Sequence, residues 1–249
     1  MVGLGVVLVF VGSVGATLLV LTASPLRSSE WYEPIQAFLS YSVAAGALAV
    51  YSRVLEVHPF IGSVSPAKIV RASLCALPLV CVSLGLTGIC GELQELQAQV
   101  HPSPAIPALV DAGLSVSLIP LVEEIAFRGL LFRAWTLVWG LRRSVVGSSL
   151  AFAVLHDDPA SAFVLGVLAA LVYIRHRSLV SSVILHASYN LLQSWLRFLV
   201  ESFDELPIAI GSQIPVIGYA LPALGGLAFV ACLFGRSWHS SPPWILSRE

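Results

Sequence analysis

Three pairs of side chains stand four residues apart in stretches that are otherwise apolar. Glu124 and Arg128 lie in LVEEIAFRGLLF, with Glu123 directly ahead of them; Phe152 and His156 lie in SSLAFAVLHDD; His186 and Asn190 lie in SSVILHASYNLL. Residues i and i+4 share a helix face. Two carboxylates, two imidazoles, a carboxamide and a guanidinium, drawn from three segments, are the parts of a hydrolytic centre. Glu123 and Glu124 are adjacent, so on a helix they point about 100° apart. Glu124 shares its face with Arg128 and is the expected ion-pair partner. Glu123 is left for chemistry, as a general base toward water. An imidazole and a carboxamide aimed at one point, His186 and Asn190, can form an oxyanion hole.

Blander and rival readings stand beside this one. Glu124 and Arg128 also suit a structural network between helices, His156 a structural histidine, and His186 with Asn190 interhelical hydrogen bonding. Zinc is the competing chemistry: Glu123, His156 and His186 have the ligand types of some zinc hydrolases. The H-E-x-x-H helix motif is absent, however, and the ligands would come from three segments. Metal-bound histidines use outer partners, and the sequence offers few to His156, since Asp157 and Asp158 point to other faces. No cofactor is therefore expected, with zinc as the alternative. Ser149, Ser181, Ser182 and Ser188 are near, but no Asp orients a His toward any of them as a nucleophile. His58, His101, His176 and His239 fall in loops or the tail. The four cysteines have no C-x-x-C spacing and lie in or beside apolar runs, as small apolar residues would.

The elements that must hold these groups are membrane spans. The chain is 57% hydrophobic and 11% charged, against about 25% charged in ordinary globular domains. A span needs about 20 mostly apolar residues. The expected fold is an all-α membrane protein of about eight transmembrane helices, near 3–23, 35–55, 69–90, 107–133, 144–157, 160–175, 179–199 and 214–235, bundled around a buried polar cavity. The whole of 1–249 reads as one polytopic domain. The N-terminus has no Lys or Arg before its apolar run, so it reads as a retained first span. Pro120 is expected to kink the fourth span, and Pro159 to restart the chain after Asp157 and Asp158. Lys and Arg alternate between loops, as at Arg142 and Arg143, so that both termini are expected in the cytoplasm. On that topology Glu123 and His186 lie about 15 and 10 Å deep, while His156 comes out deeper, near the far end of its span. Trp31, Trp135, Trp139, Trp195 and Trp238 sit near span ends. A net charge of -1 gives no field to recruit nucleic acid. An ionisable group at membrane depth marks a functional site by default. A transporter would show broken helices in both halves, whereas here the charges crowd into 123–190.

Glu123-Glu124-x-x-x-Arg128, then Phe152-x-x-x-His156, then His186-x-x-x-Asn190 resembles the CAAX protease and bacteriocin-processing family of intramembrane endopeptidases. The small-residue segment from Gly166 to Tyr173, followed by a basic turn and Ser178, matches as well. The resemblance covers roughly 105–195. It implies an eight-helix bundle with a cavity. It also implies a glutamic, metal-independent endopeptidase in which Glu123 with His156 activates water while His186 and Asn190 hold the oxyanion. Arg128 and Phe152 are then supporting residues. The implied partners are membrane lipid and a membrane-anchored protein substrate. Relatives include non-catalytic immunity proteins, so a scaffold of the same fold is the alternative. The small size and compact loops point to a bacterial cytoplasmic membrane.

Overall fold

A computed structural model describes residues 2–54, 59–89, 105–202, 224–226 and 228. Its elements are helices: α1 (Val2–Thr22), α2 (Tyr32–Val54), α3 (Pro66–Leu74), α4 (Ala76–Ile89), α5 (Ala105–Ser115), α6 (Leu118–Glu124), a π-helical segment (Ile125–Phe132), α7 (Arg133–Trp139), α8 (Leu141–Ala153), α9 (Pro159–His176) and α10 (Leu179–Ser202). No strand occurs among the described residues, only a single antiparallel bridge between Gly62 and Ser178.

Among the described residues five helical stretches are long and apolar enough to cross a membrane: Gly3–Thr22, Tyr32–Val54, Pro66–Leu86, Ile106–Trp139 and Pro159–His176. They correspond to the first four expected spans and the sixth. Leu4, Leu8, Leu19 and Val20 on α1 are mostly exposed, an apolar surface that water would not tolerate and lipid does. The protein is therefore an integral membrane protein. The seventh expected span is present as the 24-residue α10. Its apolar character is diluted by the stripe Ser182, His186, Asn190 and Gln193. The eighth expected span lies outside the described residues, apart from 224–226 and 228. So does Trp238, whereas Trp31, Trp139 and Trp195 are exposed.

Two expectations change in detail. The fourth span is not one helix. Proline lacks an N–H and crowds the carbonyl four residues back, so Pro120 disfavours a regular helix at Val116, and the chain turns at 116–117 before α6 begins. After Glu124 the helix widens into the π-helical segment, which takes one extra residue per turn. The fifth span runs over 141–153 rather than 144–157. Thirteen residues make about 20 Å, short of the ~30 Å hydrocarbon core. His156 therefore follows the end of α8 instead of lying within a span, which removes the depth conflict between His156 and Glu123.

Local chemistry fixes the neighbouring segments. Asp158 caps α9, accepting from Ser161 N at 3.0 Å, with Pro159 at the first helical position. Gly166 lets α9 approach α8, since a Cβ there would stand 2.9 Å from Ser149 Cβ. Arg177 takes a left-handed conformation (φ 50°) at the end of α9, and Leu179 N donates to Ile61 O at 2.9 Å. Gly62 is required at this crossing. Its φ is +69°, and a Cβ would come within 1.9 Å of the Arg177 carbonyl oxygen. Thus the loop before α3 holds the turn that starts α10, the helix carrying His186 and Asn190.

Candidate active site

Glu123 and Glu124 end α6, and both are buried, at 3% and 0% exposure. Glu124 sits in a full set of donors. Arg128 Nη1 donates to its Oε1 at 2.9 Å, His186 Nδ1 lies 3.0 Å from the same oxygen, and the Ser182 hydroxyl donates to Oε2. A carboxylate that accepts from a guanidinium and a hydroxyl is an acceptor toward His186 too. Nδ1 of His186 therefore carries its hydrogen toward Glu124. Arg128 is fully buried, with its guanidinium 4.6 Å above the Phe152 ring. Phe152 also contacts His156 and His186, at ring separations of 4.2 and 5.7 Å. One phenyl ring thus spaces the cation and both imidazoles.

Glu123 is placed differently. Its Oε1 accepts from the Tyr41 hydroxyl of α2 at 2.5 Å. Its Oε2 is buried and has no hydrogen-bond partner among the described residues. That oxygen faces His186 Nε2 at 3.7 Å and His156 Nε2 at 3.9 Å. His156 follows α8, in whose last turn the Phe152 carbonyl accepts from Leu155 N at 3.2 Å and keeps a second lone pair. Its Nδ1 lies 2.8 Å from the Phe152 carbonyl, so Nδ1 carries the hydrogen and Nε2 offers a lone pair toward Glu123. A cavity of about 190 Å³ adjoins this pair, lined by Glu123, His156 and Tyr41 together with Phe10, Val14 and Leu155.

Glu123 Oε2 and His156 Nε2, two acceptors 3.9 Å apart, can share one water about 2.8 Å from each, at an angle of about 88°. Two ligands of a tetrahedral zinc stand about 3.4 Å apart, given bonds of 2.0–2.1 Å. Glu123, His156 and His186 offer zinc-type donor atoms at separations wider than that. Among the described residues no group of three or more His, Cys, Asp or Glu is spaced for a metal ion. The outer partner that the sequence did not offer His156 is nonetheless present, as the backbone carbonyl of Phe152.

Six of the seven expected residues, Glu123, Glu124, Arg128, Phe152, His156 and His186, form one contiguous cluster. Asn190 stands one turn beyond His186 and donates through Nδ2 to the Ser115 carbonyl at 2.7 Å, tying α10 to the end of α5. Two participants were not singled out by the sequence. Ser182 had a signal, since it lies four residues before His186 and so continues the stripe of α10. Tyr41 had none: it stands alone in an apolar span far from the motifs.

The same region of the chain is recognised by comparison with known proteins. Residues 105–192 match the family model described as type II CAAX prenyl endopeptidase Rce1-like, which bears out the resemblance read from the three motifs. No curated protein and no solved structure matches the chain. The matched segment contains all seven expected residues and Ser182, and leaves out Tyr41.

Proposed function

From the premise that residues 105–192 are those of the Rce1-like type II CAAX prenyl endopeptidase family, we propose that this protein is an intramembrane endopeptidase that hydrolyses a peptide bond of a membrane-anchored substrate. One observation carries the reading: Glu123 Oε2 is a buried, unpartnered carboxylate oxygen beside two imidazole Nε2 atoms at the edge of a cavity. A water between Glu123 Oε2 and His156 Nε2 gives its proton to the carboxylate as its oxygen attacks the scissile carbonyl. The charge that develops on that carbonyl oxygen is held by His186 and Asn190. The nitrogen leaving with the cleaved chain takes the proton from Glu123 with His156 beside it. One carboxylate product and one amine product result from one water.

Charge supports these roles. Glu123, Glu124 and Arg128 sum to -1, so a protonated His186 brings the cluster to neutrality. Its Nδ1–H rests on Glu124, and its Nε2–H is the oxyanion donor. Asn190 has two amide hydrogens; one holds Ser115 O, and the second serves the oxyanion. Arg128 and Phe152 support Glu124 and the two rings.

The reading is metal-free. Purified protein is expected to contain substoichiometric zinc and to keep its turnover after dialysis against a strong chelator. One zinc per chain, with activity lost on chelation and restored by zinc, would make Glu123, His156 and His186 ligands instead.

The same reading includes the eight-span bundle, with α8 as a short span and 214–235 as the last. Both termini and the turn around Arg142 and Arg143 then face the cytoplasm. Reporter fusions at Arg143 and at Glu249 are expected to report the cytoplasmic side; a signal from the opposite side at either position overturns the arrangement.

A further inference from the structure

We infer that Tyr41 is a positioning residue of the proposed reaction: by holding Glu123 Oε1 it fixes Oε2 as the oxygen that takes the proton of the attacking water. The inference rests on the reading of Glu123 as the base. It extends the working site to α2, outside the segment that carries the family match.

The terminal torsion of a glutamate is broad and nearly two-fold. An unpinned Glu123 would present either oxygen to the histidines and tilt between them. The Tyr41 hydroxyl donates to Oε1 at 2.5 Å across 82 residues of sequence. Hydrogen bonds to an ionised acceptor are among the stronger ones, and this one distinguishes the two oxygens: Oε1 is satisfied, and Oε2 is buried without a partner and faces both Nε2 atoms. The tyrosine is itself held. Its ring packs on Phe10 of α1 at 6.1 Å, Phe10 on Phe127 at 5.5 Å, and Phe127 on Phe152 at 5.3 Å. An aromatic chain thus runs from the N-terminal helix pair to the ring that spaces Arg128 and the two histidines. Tyr41 also lines the cavity beside Glu123, so the residue stands at the wall that a substrate or water meets.

The test uses the full-length protein in detergent and the variant Tyr41→Phe, which keeps the ring contacts and removes the donor. The carboxylate band of Glu123 is first identified by infrared difference between the wild type and Glu123→Gln. Tyr41→Phe is expected to shift that band; an unmoved band overturns the inference. Turnover is then measured on the peptide spanning the bond that the wild type cuts most strongly in membrane proteins. The expected loss is about 10–100-fold in kcat, with KM little changed and the protein still folded. An unchanged kcat, or a loss confined to KM, contradicts the positioning role. If the wild type cuts no membrane protein, the endopeptidase reading fails. The infrared shift still decides by itself whether Tyr41 sets the state of Glu123.

Discussion

Glu123→Gln is expected to abolish turnover while leaving the protein folded. The amide keeps an oxygen to accept from Tyr41, and its NH₂ can point at the His156 Nε2 that now faces Oε2 across 3.9 Å. It also removes one of two buried negative charges that share a single guanidinium. The cluster therefore loses the repulsion from Glu124 and the attraction toward His186, and keeps the hydrogen bond to Tyr41. What it loses in chemistry is the base, and a positioned general base contributes about 10²–10⁴ in rate. Turnover and detergent unfolding measured on one preparation separate these effects. Near-normal turnover would remove Glu123 from the role of base. A large fall in unfolding temperature would mean that Glu123 holds helices together rather than acting on water.

Arg128→Ala should do the opposite. Arg128 is the largest of the fully buried side chains, and its loss leaves Glu123 and Glu124 as two buried carboxylates without a permanent cation. Breaking a buried pair in this way typically costs about 3–5 kcal/mol, a large part of the ~5–15 kcal/mol that folded proteins have in hand. The Phe152 ring loses its guanidinium face as well. Low yield and a strongly lowered unfolding temperature are expected, with activity falling in proportion to folded protein. Arg128→Lys should fall between, since it keeps the charge and gives up the planar contact. Adding Glu123→Gln to Arg128→Ala should recover part of the lost stability by removing one orphaned charge. No recovery would show that the ion pair with Glu124 alone accounts for the effect, and an Arg128→Ala protein of normal stability would contradict the account of the cluster's electrostatics.

Much of this site could be read from the chain because its chemistry is expensive where it sits. Charged and imidazole side chains inside apolar stretches need partners, and a spacing of four names the partner when both lie on one helix. Glu124 and Arg128 are legible in this way. It was the order and the approximate spacing of the three motifs that joined them into one site. What the sequence did not disclose depends on tertiary contact or on backbone. Tyr41 meets Glu123 only because α2 packs beside α6. The carbonyl that orients His156 lies in the last turn of α8, which ends at Ala153, and neither a carbonyl nor a helix end four residues early is written in a side-chain pattern. For the same reason the fifth span was placed too far along: SSLAFAVLH is apolar enough to continue, and the chain turns instead so that His156 meets Glu123. The amide of Asn190 was expected to share a target with His186; its bond to Ser115 arises where Pro120 interrupts the helix upstream, a contact between two elements that no local spacing encodes.

The central claim, that this protein cuts membrane-anchored proteins with Glu123, is tested most directly by comparing protein termini in membranes from three strains: one lacking the protein, one carrying the wild type and one carrying Glu123→Gln at equal level. New termini in or beside apolar segments of membrane proteins are expected with the wild type, and their absence in the other two. Identical termini in all three would contradict it and leave a non-catalytic scaffold. Termini produced equally by wild type and Glu123→Gln would show a protease that does not use this carboxylate.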